Sequence, residues 1–257
     1  MTKSSNFQAV ILAAGRGSRL GSLTKDCPKG LIKLAGQPLV EWQLRALRAS
    51  GIKDIYIVTG YKGDQFSRFP ATTIENPEWE SSNMLVSLLA VFPHLKIGAR
   101  LIVSYSDIVY SAEAVRGLIS HRQDLVLAYD PNWQQLWEAR FSEPLSDAES
   151  FRISPSGNII EIGEKVDNVK KIQGQYMGLF SMSQSARDWT ENYLEGNPGQ
   201  KTQIDMTSLF SSLIGQGKSV YGSAIAGSWC EIDTPRDLTV AENLIEEELL
   251  VPPEQTQ

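Results

Sequence analysis

Gly15 and Gly17 flank Arg16 at the end of the apolar run Val10-Ile11-Leu12-Ala13-Ala14, and Ser18, Arg19 and, after a short gap, Lys29 follow. Glycines carry no Cβ, so main-chain N–H groups in such a loop can approach phosphate oxygens, while Arg16, Arg19 and Lys29 supply positive charge. The chemistry this permits is the holding of a polyphosphate. Asp107 follows the apolar run Leu101-Ile102-Val103, on the same side as the glycine loop, and a second carboxylate, Asp233, follows Trp229-Cys230-Glu231-Ile232. A carboxylate that faces a polyphosphate implies a bridging metal. Each aspartate also reads as a helix cap, Asp107 ahead of a helix near Ser111 and Asp233 ahead of one with Pro235 in its first turn.

The elements that must position these groups follow from apolar spacing. The run up to Ala14 is rich in β-branched residues and reads as a buried strand that feeds the glycine loop. Leu39, Val40, Leu44 and Leu47 fall at helical spacing, with Gly51 as a C-terminal cap, and Ile55–Val58 is a second buried strand. The opening is therefore β-α-β, with the loop at the carboxyl end of the first strand, where open α/β sheets bind ligands. Further along, Thr72–Glu75 reads as a short strand and Met84–Val91 as a helix capped by Ser81, Ser82 or Asn83. Strands are expected at Leu101–Asp107, Leu125–Tyr129, Gln173–Phe180 and Val220–Ile225, and helices at Ser185–Leu194, Met206–Ile214 and Asp237–Leu250. Phe151–Ile153 and Ile159–Ile162 alternate about Pro155-Ser156-Gly157-Asn158, a hairpin signal.

Two common phosphate motifs do not fit. The dinucleotide pattern G-x-G-x-x-G lacks its third glycine, because Leu20 occupies that position, and no G-x-x-x-x-G-K-[ST] string occurs. The string L-A-A-G-R-G-S-R-L followed by P-K-G-L instead resembles the signature of the nucleotidyltransferases that activate sugar phosphates, phosphocholine and phosphonates as nucleoside diphosphate derivatives. The resemblance implies an α/β fold, a Rossmann-like three-layer sandwich of the GT-A-like type with a mostly parallel central sheet and helices on both faces. It implies one domain over residues 1–257, with an insertion or lid at 130–180. It makes Arg19 and Lys29 catalytic and places Mg²⁺ on Asp107 and Asp233. Leu12, Ala13, Ala14, Gly15, Arg16, Gly17, Ser18, Ser82, Asn83 and Ser106 then bind the nucleotide.

The acceptor side rests on weaker strings. Y-S-D-I-V-Y, D-P-N-W, Asp147-Ala148-Glu149 and Q-G-Q-Y-M-G-L resemble those of cytidylyltransferases for phosphonates such as 2-aminoethylphosphonate, or for phosphocholine-like compounds. That favours CTP and a small phosphorylated or phosphonate acceptor, with Trp133, Trp137, Glu138, Arg140, Lys165 and Tyr176 as candidate acceptor contacts. Trp133, Trp137 and Glu138 are read as a cage for an ammonium group, or else the two tryptophans simply pack on the core. A hexose-1-phosphate uridylyl- or thymidylyltransferase shares the same motifs, and a non-catalytic nucleotide sensor would keep the fold. Homodimers are common among such enzymes, and no segment of the sequence marks an interface.

Composition narrows the remaining classes. The chain has 257 residues, 42% of them hydrophobic, and a net charge of −6, which suits one globular α/β domain and opposes a nucleic-acid-binding surface. Cys27 and Cys230 show no C-x-x-C spacing, and no apolar run is long enough for a membrane helix, so a cytoplasmic protein with free thiols is expected. His94 and His121 have no ligand-like spacing, which gives a zinc site no support.

Overall fold

The computed structural model describes residues 6–225 and 229–251. In chain order, β1 (Phe7–Ala13) leads through β2 (Lys33–Leu34) and β3 (Gln37–Pro38) to α1 (Leu39–Ala49), β4 (Ile55–Thr59), β5 (Thr72–Glu75) and α2 (Met84–Val91). Next come β6 (Arg100–Tyr105), β7 (Ile108–Tyr110), α3 (Ala112–Ser120), β8 (Leu125–Asp130), α4 (Trp133–Arg140), β9 (Glu149–Ile153) and β10 (Ile159–Lys165). The chain closes with β11 (Gln175–Met182), α5 (Gln184–Gly196), α6 (Met206–Gly215), β12 (Val220–Ala224), β13 (Trp229–Glu231) and α7 (Pro235–Glu246).

A seven-stranded sheet in the order β12-β8-β11-β6-β1-β4-β5 forms the centre. Its neighbours pair parallel except β11, which runs antiparallel to both β6 and β8. All seven residues of β1 are buried, so both faces of the sheet are covered there, as a continuous apolar run requires. The expected strands and helices form with small shifts of boundary. Asn83 caps α2, its Oδ1 accepting from Val86 N at 3.1 Å.

Three local differences from the sequence reading have physical causes. The closing helix starts at Pro235 because Thr234 and Asp237 make a reciprocal capping box, and it stops at Glu246, where the run Glu246–Glu248 opposes the negative end of the helix dipole. Residues 175–182 form the antiparallel strand of the central sheet, so the excursion expected at 130–180 leaves the sheet after Asp130 and returns at Gln175. Within it, Trp133 and Trp137 are 4% and 3% exposed and belong to the main core, which ties α4 to the body of the domain.

The third difference matters most for the site. β6 ends at Tyr105 and Ser106-Asp107 form a turn, after which a separate short strand, β7, pairs antiparallel with β13, Ile108 opposite Glu231. Ile232 N donates to Asp107 O at 2.7 Å, which closes this short ribbon beside the two aspartates. Neither aspartate is a helix cap, since Ser111 and Thr234 hold those positions. Among the described residues no helix is long and apolar enough to cross a membrane. Cys27 and Cys230 are both free thiols.

Candidate active site

The loop after β1 keeps its backbone open. A Cβ built on Gly15 would meet nothing within 4 Å, so a ligand can approach the main chain there, and Ala14 O is fixed by Tyr61 N at 2.9 Å. Gly17 is different: its φ is +74°, and a Cβ would fall 2.7 Å from Lys29 Cβ. Glycine at 17 is thus what lets the lysine stem cross beneath the loop. Two short 3-10 turns separated by a kink at Gly21 then span Ser18–Thr24, and the first carries Arg19.

Lys29 is 7% exposed and ends between two carboxylates. Its Nζ donates to Asp107 Oδ2 at 2.6 Å and to Asp233 Oδ1. Burial pulls the ammonium pKa down, yet Asp107 and Asp233 together hold it above the ordinary lysine value. Arg19, largely exposed, pairs with the other oxygen of Asp233.

Glu231 joins the two aspartates, and one ligand atom from each of the three carboxylates lies within 4.8 Å of the others. Asp107 Oδ1 is buried with no hydrogen-bond partner among the described residues. A buried carboxylate oxygen left without a donor, in a cluster of hard oxygen ligands, fits a divalent cation of the Mg²⁺ class. Glu231 was not singled out from the sequence, although the signal was present: it ends β13 and stands two residues before Asp233, a spacing that puts two side chains on one face of an extended segment. Burial pushes its carboxyl up to about 7, against the opposing pull of Arg140 and with the help of Asp107 and Asp233.

A cleft of about 530 Å³ opens beside this cluster, lined by Leu12, Ala14, Gly15, Ser82 and Asn83. Trp79 also lines it. Ser82 Oγ accepts from Asn76 Nδ2 at 3.0 Å, and Asn83 Nδ2 donates to Ile204 O at 2.6 Å, so both are held in place. Ala13 is buried in the core, Ser106 is buried behind the loop, and Arg16 and Ser18 are exposed on it, Arg16 lying 5.5 Å over the Tyr61 ring.

Trp137, Asp147, Glu149, Tyr176, Asp205 and Thr207 also line the cleft. Trp137 Nε1 donates to Asp147 Oδ2 at 3.1 Å. Burial raises the pKa of Asp147, with Arg140 opposing, and burial likewise raises that of Glu149, with Thr207 opposing. Asp205 caps α6 through Ser208 N at 2.7 Å and still faces the cleft. Tyr176 stands edge-on to Tyr105, ring centroids 5.9 Å apart.

Four of the expected acceptor contacts, Trp133, Glu138, Arg140 and Lys165, do not line the cleft. Glu138 is exposed and accepts from Gln134 Nε2 at 2.7 Å, while Trp133 packs edge-on against Trp137 at 5.9 Å, so these residues do not assemble an ammonium cage. Lys165 is exposed at the end of β10 and does not line the cleft. Arg140 is buried, with its guanidinium taken up by Glu231 and Asp237 at 2.8 and 3.0 Å.

Residues 9–156 match the MobA-like NTP transferase domain. The chain belongs to that family. The transferase is 33% identical over 251 residues to the CTP:phosphoglutamine cytidylyltransferase of Campylobacter jejuni, an alignment covering 91% of this chain and 98% of that protein. It is 38% identical over 161 residues to the 2-aminoethylphosphonate cytidylyltransferase of Lancefieldella rimae, covering 61% of this chain and 60% of that protein. The solved structure of the inositol-1-phosphate CTP transferase from T. maritima superposes with a TM-score of 0.76 at 20% identity, over 98% of this chain and all of that one. The mostly parallel sheet with packed helices is thus that of the GT-A-like nucleotidyltransferases, and the protein is a nucleotidyltransferase enzyme.

Proposed function

We propose that this enzyme transfers CMP from CTP to a small acceptor bearing a phosphate or phosphonate, with release of pyrophosphate. The observation that carries the reading is the cluster of Asp107, Glu231 and Asp233 around Lys29, set at the edge of a cleft lined by the glycine loop and by further carboxylates. The choice of cytosine is supported by the activities named for the two relatives.

The acceptor oxygen is anionic near neutral pH, so no strong general base is needed. It attacks the α-phosphorus in line; the bond from that phosphorus to the bridging oxygen breaks, and pyrophosphate leaves with the electron pair. Asp107, Asp233 and Glu231 would hold Mg²⁺, which when bound supplies electrostatic neutralisation of the α-phosphoryl group. Lys29 and Arg19 stabilise negative charge on the α-phosphoryl group and the departing pyrophosphate. Gly15 and the loop backbone bind phosphate, and Ser82 and Asn83 lie where base and ribose would sit. The acceptor then lies against Trp137, Asp147, Glu149, Asp205 and Thr207. Carboxylates beside an indole suit an acceptor with an ammonium group, such as 2-aminoethylphosphonate or phosphocholine.

Pyrophosphate release with CTP, Mg²⁺ and such acceptors tests the reading, with Asp107→Asn and Asp233→Asn as inactive controls. Turnover with a hexose 1-phosphate and UTP or dTTP, and none with CTP, would move the enzyme to the sugar branch.

A further inference from the structure

Arg140 was expected to touch the acceptor, yet its side chain is 1% exposed and points beneath the carboxylate cluster. Its Nη1 lies 2.8 Å from Glu231 Oε2 and its Nε donates to Asp237 Oδ1 at 3.0 Å. Asp237 Oδ2 in turn accepts from Asp233 N at 3.0 Å, from Thr234 N at 2.8 Å and from Thr234 Oγ1 at 3.0 Å. The guanidinium is therefore ion-paired with Glu231, Nη1 making no hydrogen bond among the described residues, and is hydrogen-bonded to Asp237, which holds the Asp233 turn. The group is itself held, with the Trp137 and Phe141 rings 5.1 and 4.9 Å from its Cζ. Its helix, α4, also carries Trp137, which bonds Asp147 on the wall of the cleft.

We infer that Arg140 is a positioning residue that fixes Glu231 and Asp233 as a preformed cation site and ties that site to the wall formed by Trp137 and Asp147. The inference rests on the reading that the three carboxylates hold a divalent cation. A buried, paired arginine could merely stabilise the fold, but its partners here are one member of the cluster and the carboxylate that fixes the backbone of another. The extended guanidinium lies within ion-pair distance of two carboxylates at once, a span that a lysine ammonium reproduces poorly. Groups that orient metal ligands characteristically set metal affinity rather than the chemical step.

The test compares wild type with Arg140→Met and Arg140→Lys, measuring Mn²⁺ binding by electron paramagnetic resonance and the Mg²⁺ and acceptor dependence of pyrophosphate release. Arg140→Met should weaken Mn²⁺ binding by about tenfold or more and raise the half-saturating Mg²⁺ to match, with kcat at saturating Mg²⁺ nearly recovered. Arg140→Lys should fall between it and wild type. Unchanged Mn²⁺ affinity overturns the inference: with a raised acceptor KM, Arg140 is an acceptor contact, and with only a lowered Tm it is structural. Should Arg140→Met not fold, Asp237→Asn, which keeps the acceptor oxygen for the Asp233 turn and loses the ion pair, must weaken Mn²⁺ binding in the same direction, and no change overturns the inference. Wild-type protein that binds no Mn²⁺ would overturn the cation site itself, a result distinct from these.

Discussion

Lys29 Nζ lies 2.6 Å from Asp107 Oδ2 and also donates to Asp233, so a single buried ammonium bridges two carboxylates that are 126 residues apart in the chain. A positive charge already occupies the ground between the aspartates.

Replacing that lysine separates its two roles. Lys29→Met should lower kcat by about two to three orders of magnitude, the scale for loss of one preorganised charge at a transition state. It should also leave two buried carboxylates without compensation. The variant's Tm should therefore fall, and Mg²⁺ should raise it by more than it raises the wild-type Tm, which thermal scans with and without the ion will show.

The aspartates carry the complementary expectation. Asp107→Asn and Asp233→Asn should each reduce kcat by about two to four orders of magnitude, in pyrophosphate release at saturating substrates. Asp107→Asn should leave CTP binding nearly intact in calorimetry without metal, since the loop backbone is unchanged.

Gly17 is constrained twice, by its positive φ and by the Lys29 stem. Gly17→Ala should cost about 1–3 kcal/mol in denaturant unfolding and should depress kcat by displacing Lys29. Gly15→Ala, with open space at its Cβ, should leave stability within about 0.5 kcal/mol and act mainly on the KM for nucleotide.

Glu149 gives a pH-dependent expectation. Burial holds its carboxyl above the ordinary glutamate value of 4.5, so the folded state binds the proton more tightly than the unfolded chain does. The contribution to stability is present below pH 4.5 and is lost as pH rises through the elevated value. Glu149→Gln should therefore be more stable than wild type at pH 7 and not at pH 4, by urea unfolding at the two values. The same variant should raise the KM of an ammonium-bearing acceptor and leave that of CTP unchanged.

The order of strands and helices was legible because the central strands β1, β4, β6 and β8 are largely runs of buried apolar residues and each long helix carries an apolar stripe. The Gly15–Lys29 loop and the two aspartates were legible because glycine, cation and carboxylate mark chemistry wherever they follow a strand. What brings the aspartates together was not: β7 and β13 are three residues each, too short for a periodic signal, and their pairing is distant in sequence. Arg140 was misplaced for the same reason. An arginine among tryptophans looks like a ligand contact until its partner Asp237, 97 residues away, is seen beneath it. Lys165 sits on a hairpin whose docking is set by packing against α6, which no local pattern reports.

The central claim is tested most directly by one assay: pyrophosphate release with Mg²⁺, crossing CTP, UTP, dTTP, ATP and GTP with 2-aminoethylphosphonate, phosphocholine, other small phosphorylated compounds and hexose 1-phosphates. The account predicts turnover with CTP and a small phosphate or phosphonate acceptor, strongest for acceptors that carry an ammonium group, and its loss in Asp107→Asn. Turnover confined to a hexose 1-phosphate with UTP or dTTP, or nucleotide binding with no pyrophosphate released from any pair, would contradict it.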